Sequence, residues 1–236
     1  MLIRFVLAAA IALGLASSAY AAPSRIIILR HGEKADDWKL CSIGQQRAQA
    51  LKFNYLGRDA AKSLFTEDAP PAFFFAITLH TVELATPATG SWGKPIILYS
   101  VMPTDDKKAM TDALNDRTRE AASNILANPA LNGKTVVMVW EHKHIADAEL
   151  EAKYQREAAV TLRQLFHLDI LPGVPATWPD DTFDYFWIVD FPDNSNVPSK
   201  FTMVKQDFGK SFPNVPANEW GEPENLDAGS GCERKD

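Results

Sequence analysis

Histidine is scarce in this chain, and its placement carries the first chemical information. Of five histidines in 236 residues, His31 follows the apolar run Arg25 to Leu29 through Arg30, and His142 and His144 follow Thr135 to Trp140 through Glu141. His80 stands just after Phe73 to Ile77, and only His167 lies elsewhere. A lone histidine would read as a surface residue or a hydrogen-bonded core residue. Three strand-like runs that each lead into histidine point to one shared site, because ligands of open α/β sheets bind where the loops at the strands' carboxyl ends converge.

These residue types suit phosphoryl transfer. A neutral imidazole held by its neighbours, as His31 would be, is a competent nucleophile toward phosphorus. The guanidinium of Arg30 offers a planar fork of donors to nonbridging phosphate oxygens. Gly32 lets the backbone approach a ligand closely. His142, arriving on another strand, would donate to the phosphoryl oxygens as charge develops on them. With Lys34, His80 and Lys143, the group reads as a positive pocket focused inside an acidic protein.

The elements that must position these residues alternate along the chain. Arg25 to Leu29 is short, β-branched and continuously apolar, the pattern of a strand buried on both faces. Ser42 is placed to cap a helix through Leu56 with Gly57 as its stop. Phe73 to Ile77 and Ile96 to Tyr99 read as strands, separated by a short helix over Thr81 to Trp92 that Pro87 interrupts and Gly93 closes. A long helix capped by Thr104 runs to about Asn128, and Asn132-Gly133 turns the chain into Thr135 to Trp140. A helix between Ala146 and Phe166 and strand-like runs at Tyr185 to Val189 and Phe201 to Val204 complete the series. The alternation predicts a three-layer α/β/α domain with a mostly parallel central sheet.

Composition narrows the classes. The chain has 46% hydrophobic and 23% charged residues, near the average of folded soluble domains, and 24 basic against 30 acidic side chains give a net charge of −6. Without a Lys/Arg run there is little to drive counterion release, which argues against a nucleic-acid partner. Residues 1–21 combine Arg4, the apolar run Phe5 to Leu15 and an A-x-A pattern at Ala19 to Ala21, the order of a cleavable secretory signal. An exported protein, periplasmic or extracellular and free of the membrane after cleavage, is therefore expected. The run falls short of the ~20 residues that span a bilayer. Residues 22–210 read as one domain and 211–236 as a tail with the composition of a mobile segment. Cys41 and Cys232 permit a disulfide and equally two unpaired thiols.

On these residues the sequence resembles the histidine phosphatase superfamily, the phosphoglycerate-mutase-like fold. Leu29-Arg30-His31-Gly32-Glu33-Lys34 is similar to its strand-borne R-H-G signature, and Val139 to Ile145 to its second-histidine motif. Cys41-Ser42-Ile43-Gly44, followed by Arg47-Ala48 and Ala50-Leu51, resembles its L-S-x-x-G-x-x-R-A-x-x-L, with Ile43 shortening the spacing before Gly44. Trp178 to Asp190 resembles the closing segment of its small bacterial and fungal members. The resemblance covers roughly Arg25 to Gln206. It implies a phosphomonoesterase of the histidine acid phosphatase type, acting on a small phosphorylated substrate without metal or other cofactor. In that reading Arg30 binds phosphate, His31 is phosphorylated in turn, and His142, nearer than His144 to the end of its strand, is the second histidine. The acid that protonates the leaving group would be Glu141 or, alternatively, Asp105 or Asp106. One departure stands out: where the family carries S-x-x-R-x-x-x-T, with another phosphate-binding arginine, this chain has Ile77-Thr78-Leu79-His80-Thr81-Val82-Glu83. His80 is the candidate stand-in, a cation only when protonated.

Two other readings fit the same residues. His142-x-His144 with Glu141 or Asp147 could hold a metal for hydrolysis, although Arg30 beside His31 would repel a cation. A phosphate-ligand binding module that lacks turnover would account for the missing arginine. Glu33, Lys34 and Lys143 read equally as surface charge, and His144 reads first as structural. Substrate specificity is expected from loops such as Ala35 to Leu40 and Pro172 to Thr182.

Overall fold

The computed structural model describes residues 22–233, so the candidate signal segment lies outside the described residues. A six-stranded sheet forms the middle layer: β1 (Arg25–Arg30), β2 (Pro71–Ala76), β3 (Ile96–Leu98), β4 (Thr135–Trp140), β5 (Tyr185–Asp190) and β6 (Lys200–Lys205), in the order β3-β2-β4-β1-β5-β6. The first four run parallel, while β5 pairs antiparallel with both β1 and β6. The sheet is thus mostly parallel, with an antiparallel edge.

The period of two along each central strand divides the apolar residues between two cores. Ile26, Ile28, Val136, Met138 and Trp140 face one side with Leu114, Ala121 and Ile125 of α3 (Lys107–Ala127). Ile27, Leu29, Val137 and Val139 face the other with Ala48 and Leu51 of α1 (Ser42–Leu51) and Leu84 and Ala88 of α2 (Leu79–Trp92). Each such side chain, once buried, contributes roughly 1.5–3 kcal/mol of transfer free energy, which is why the two strands are continuous apolar runs.

Four boundaries differ from the sequence reading, each for a local reason. The residue preceding α1 is Cys41, not Ser42, and the Ser42 hydroxyl instead reaches the Ser230 carbonyl at 3.4 Å. That helix passes into a π-helical turn over Lys52–Leu56 before Gly57 ends it. The second helix begins at Leu79, because Thr78 and Thr81 form a reciprocal capping box, and it continues through Pro87. Asp106, not Thr104, caps α3 by accepting from the amides of Lys108 and Ala109. Finally, no single helix fills Ala146 to Phe166. Two short ones stand in that region, α5 (Ala148–Tyr154) and α6 (Leu162–Leu165), started by side-chain caps from Asp147 and Thr161, and a further short helix, α4 (His142–Ile145), precedes it.

Residues 211–236 read from composition as a mobile tail, but the segment after β6 is pinned as far as Glu233. Val215 is buried, Trp220 packs on Trp178 and Trp187, and Cys41 is disulfide-bonded to Cys232. The bridge joins residues 191 apart, and in the chain-entropy view a loop of that size stabilises the fold by about 5 kcal/mol. Among the described residues, no helix is long and apolar enough to cross a membrane.

Candidate active site

Strand register assembles the site. Arg30 at the end of β1 stands opposite Trp140 at the end of β4, and the His31 amide donates to the Trp140 carbonyl at 3.0 Å. His31 therefore emerges beside Glu141 and His142. On the other side of β4, Ala76 pairs with Val139, so Thr78 and His80 arrive from β2 at the same edge. Three of the sequence's strand-end histidines meet here: the His31 ring lies 5.0 Å from that of His80 and 5.5 Å from that of His142.

His31 is almost wholly buried. Its Nδ1 lies 2.7 Å from the Gly32 carbonyl oxygen, which can only accept a hydrogen bond and so keeps the hydrogen on Nδ1 and the lone pair on Nε2. Around Nε2 stand Arg30 Nη2 at 3.3 Å, His142 Nδ1 at 3.3 Å and Glu141 Oε2 at 3.6 Å. Burial holds the imidazole pKa well below its ordinary 6.5, opposed by Glu141 and reinforced by Arg30, His80 and His142. The ring is neutral at neutral pH, with Nε2 free to attack.

Arg30 is aimed by its surroundings. Its Nη1 donates to the carbonyls of Pro179, Asp180 and Thr182, and its guanidinium lies 3.8 Å above the Phe183 ring. Burial lowers its pKa to about 10 against the pull of Glu224, Glu141, Asp180 and Glu33, which leaves it charged at neutral pH. Its Nε is buried with no protein partner. Through Nη2, 3.3 Å from His31 Nε2, the guanidinium is placed to meet an anionic oxygen at the nucleophilic nitrogen. His142 is oriented from behind, where its Nε2 donates to Asp180 Oδ1 at 2.7 Å, turning Nδ1 toward His31.

His80 is inside the site, with its Nε2 bound to Glu141 Oε1 at 2.6 Å. Thr78 Oγ1 donates to the same oxygen at 2.8 Å. Burial alone would raise the Glu141 pKa, but His31, His80 and the hydrogen bond from His80 outweigh it and hold the carboxyl well below the usual range. The Nδ1 of His80 is buried without a protein partner. The imidazole thus gives one edge to Glu141 and leaves its other ring nitrogen without a protein partner.

Behind the nucleophile loop lies an ionic cluster that the sequence reading did not foresee. Arg47 of α1, buried, binds Glu33 through Nε and Nη2 at 2.7–3.1 Å, Asp184 through Nη1 at 2.8 Å, and Glu224 through Nη2 at 3.3 Å. One cation faces three carboxyls. Burial works against the Glu33 charge, but the Arg47 charge and hydrogen bonds prevail and lower its pKa, whereas burial and the neighbouring Glu33 push Glu224 up to about 10. Glu224 is accordingly a neutral acid at neutral pH. It lines a cavity of about 530 Å³ with Arg30, His31, Lys34, Phe183 and Leu226. Asp180 and Phe183 were also missed as site residues. They sit in the Trp178 to Asp190 run, whose aromatic pattern points to packing but not to what the rings and carboxylates touch.

The remaining candidates fall in varied places. Gly32 fits where a side chain would crowd, since a Cβ there would stand 3.1 Å from Leu84 Cδ1. Lys34 is 4.0 Å from Glu233 at the cavity rim. Lys143 is exposed and 3.9 Å from Asp180. Asp106 is taken up as a helix cap, and Asp105 lines a different cavity beside Thr104. His144 points away, its Nε2 donating to Asn115 Oδ1 at 3.0 Å, and Asp147 caps α5, so the metal set built on His142 and His144 does not converge. His31, Glu141 and His142 do offer ligand atoms within 4.8 Å of one another, but Arg30 Nη2 shares that space and opposes a cation. Of the two loops expected to shape specificity, Pro172 to Thr182 reaches the cavity through Asp180, whereas Ala35 to Leu40 does not line it.

No protein-family model matches the sequence, and no curated protein matches it. Solved structures do resemble it. The mycobacterial glucosyl-3-phosphoglycerate phosphatase is 13% identical over 78% of this chain and 98% of its own, with a TM-score of 0.41. Mycobacterial hydrolase 2 is 13% identical over 83% and 92%, and mycobacterial hydrolase 1 is 14% identical over 78% and 98%, both also at 0.41. At TM-scores of 0.41 the likeness says nothing of the site, whose chemistry rests on its own geometry.

Proposed function

We propose that this chain is an exported phosphohydrolase that cleaves phosphomonoesters through a phosphohistidine on His31. The observation that carries the reading is the environment of His31 Nε2: a neutral ring fixed by Gly32, with Arg30, His142 and Glu141 gathered around its lone pair. Arg30 would hold the phosphoryl oxygens while Nε2 attacks phosphorus, forming a P–N bond as the P–O bond to the alcohol breaks. The departing oxygen takes its proton from the cationic form of His80, since Glu141 beside it is held as a carboxylate, and the proton that water later gives to Glu141 restores it. Water then attacks the phosphohistidine with Glu141 accepting its proton, the P–N bond breaks, phosphate leaves, and the electron pair returns to Nε2. The sum is ester plus water giving alcohol plus phosphate. Neither step requires a metal, and Arg30 supplies the positive charge. Export is supported by the sequence of residues 1–21 alone.

Rapid quenching of the mature protein with labelled phosphomonoester should trap acid-labile, base-stable label on the wild type. His31→Ala should abolish both label and turnover with the fold intact, and chelation should leave activity unchanged. Full activity in His31→Ala, or zinc-dependent turnover, would sink the proposal.

A further inference from the structure

The cavity in front of His31 has a wall that the nucleophile-bearing elements do not provide. Pro223, Glu224, Asn225 and Leu226 line it, and all four belong to the segment after β6. That segment is held at several places along its length. The amide of Asn218 donates to Asp184 and that of Gly221 to Thr182 Oγ1. Arg47 Nη2 binds both the Pro216 carbonyl and Glu224. The far end is clasped to the nucleophile loop itself: Cys232 is bonded to Cys41, whose amide donates to Glu33, and the Glu233 amide donates to the Lys34 carbonyl at 2.6 Å. The segment thus crosses the mouth of the site and is tied on both sides of it, next to the residues that follow His31.

Resting on the phosphohydrolase reading above, we propose that this clasped segment is the specificity wall of the enzyme, admitting compact phosphomonoesters and excluding phosphorylated polypeptide chains. A compact ester needs room on one side of its phosphoryl group, and about 530 Å³ is within the range of roughly 300–1,000 Å³ of small-molecule sites. A phosphorylated side chain of a polypeptide brings backbone away in two directions, and here one of them meets Pro223 to Leu226. Leu226 presents an aliphatic side chain, so shortening it widens the opening without removing a charge from the site. The Cys41–Cys232 bond fixes the position of the wall, because without it the last anchored stretch relies on the hydrogen bonds of Ser42 and Lys34 with Ser230 and Glu233 and on the ion pair of Lys34 with Glu233.

The test compares kcat/KM for propyl phosphate and for a phosphoserine decapeptide in the wild type, Leu226→Ala and the double variant Cys41→Ser/Cys232→Ser. The wild type should strongly prefer propyl phosphate. In both variants the preference should fall by about tenfold or more, with peptide turnover rising relative to that of propyl phosphate. Wild-type turnover of the peptide as fast as propyl phosphate overturns the proposal, as does an unchanged preference in folded Leu226→Ala. Should the double variant fail to fold by near-ultraviolet circular dichroism, the Leu226→Ala comparison decides alone. A wild type that turns over neither probe and traps no label overturns the phosphohydrolase reading and this one with it. Turnover with an unmoved preference overturns this one only.

Discussion

The Nδ1 of His31 lies 2.7 Å from the carbonyl oxygen of Gly32, so the residue that follows the candidate nucleophile also selects its tautomer. A carbonyl can only accept, which commits the ring proton to Nδ1 and frees Nε2 for attack. Burial acts in the same direction by disfavouring the imidazolium. Nitrogen-resolved NMR at pH 6.5 should show His31 as a neutral ring protonated on Nδ1, becoming cationic only well below that pH. A ring protonated on both nitrogens at pH 6.5 would contradict this account.

His80 sits where a second arginine was expected, and its hydrogen bond to Glu141 gives it a different task. A phosphate ligand would act mainly on binding, whereas a residue that holds Glu141 acts on proton transfer. His80→Ala should therefore lower kcat by about 10²-fold or more, with KM changed little. It should also raise the Glu141 pKa, since the favourable charge and hydrogen bond of His80 are lost while burial remains. The acid limb of the kcat profile should move to higher pH. A large rise in KM at constant kcat would return His80 to the role of phosphate ligand.

Gly44 in α1 touches the nucleophile loop directly. A Cβ there would fall 2.3 Å from the Glu33 carbonyl oxygen and 3.1 Å from its amide nitrogen, both backbone atoms that can yield only by moving the loop. Gly44→Ala should destabilise the protein by about 1–3 kcal/mol. Because the loop carries His31, kcat/KM should fall by up to about 10²-fold. Urea unfolding and steady-state kinetics on the same preparation would check both, and wild-type values in each would show that α1 can retreat instead.

His144 makes the fold acid-sensitive independently of catalysis. Burial lowers its pKa to about 4, while in the unfolded chain it titrates near 6.5. Between those values the unfolded state binds the extra proton, so stability rises with pH there and is lost as pH falls from 7 toward 4. The loss attributable to this group is about 3 kcal/mol. His144→Gln, which can still donate to Asn115, should remove most of that dependence. Urea midpoints at pH 7 and pH 4.5 for both proteins would show it, and an unchanged difference would exclude His144 as the source.

Much of the site was legible in the chain itself. Arg25 to Leu29 and Thr135 to Trp140 are continuous apolar runs because their strands are covered on both faces, and such runs end where the sheet ends. Histidines placed directly after them must gather at one edge of a parallel sheet, whatever the helices do, so His31, His80 and His142 were readable together. The choice of His142 over His144 came from the resemblance, in which the second histidine directly follows its strand and His142 is the nearer of the two. Tertiary structure alone decided what each group touches. Arg47 reads in sequence as part of a helix motif, and its partners Glu33, Asp184 and Glu224 lie 14, 137 and 177 residues away. The same holds for the bond of His80 to Glu141 and for the disulfide that turns a Gly/Ser/Glu-rich tail into the wall of a pocket. Such contacts join residues whose separations follow neither the 3.6 period of a helix nor the 2 of a strand, so they leave no pattern along the chain. They exist because a buried charge or hydrogen-bonding group must find a partner wherever folding brings one.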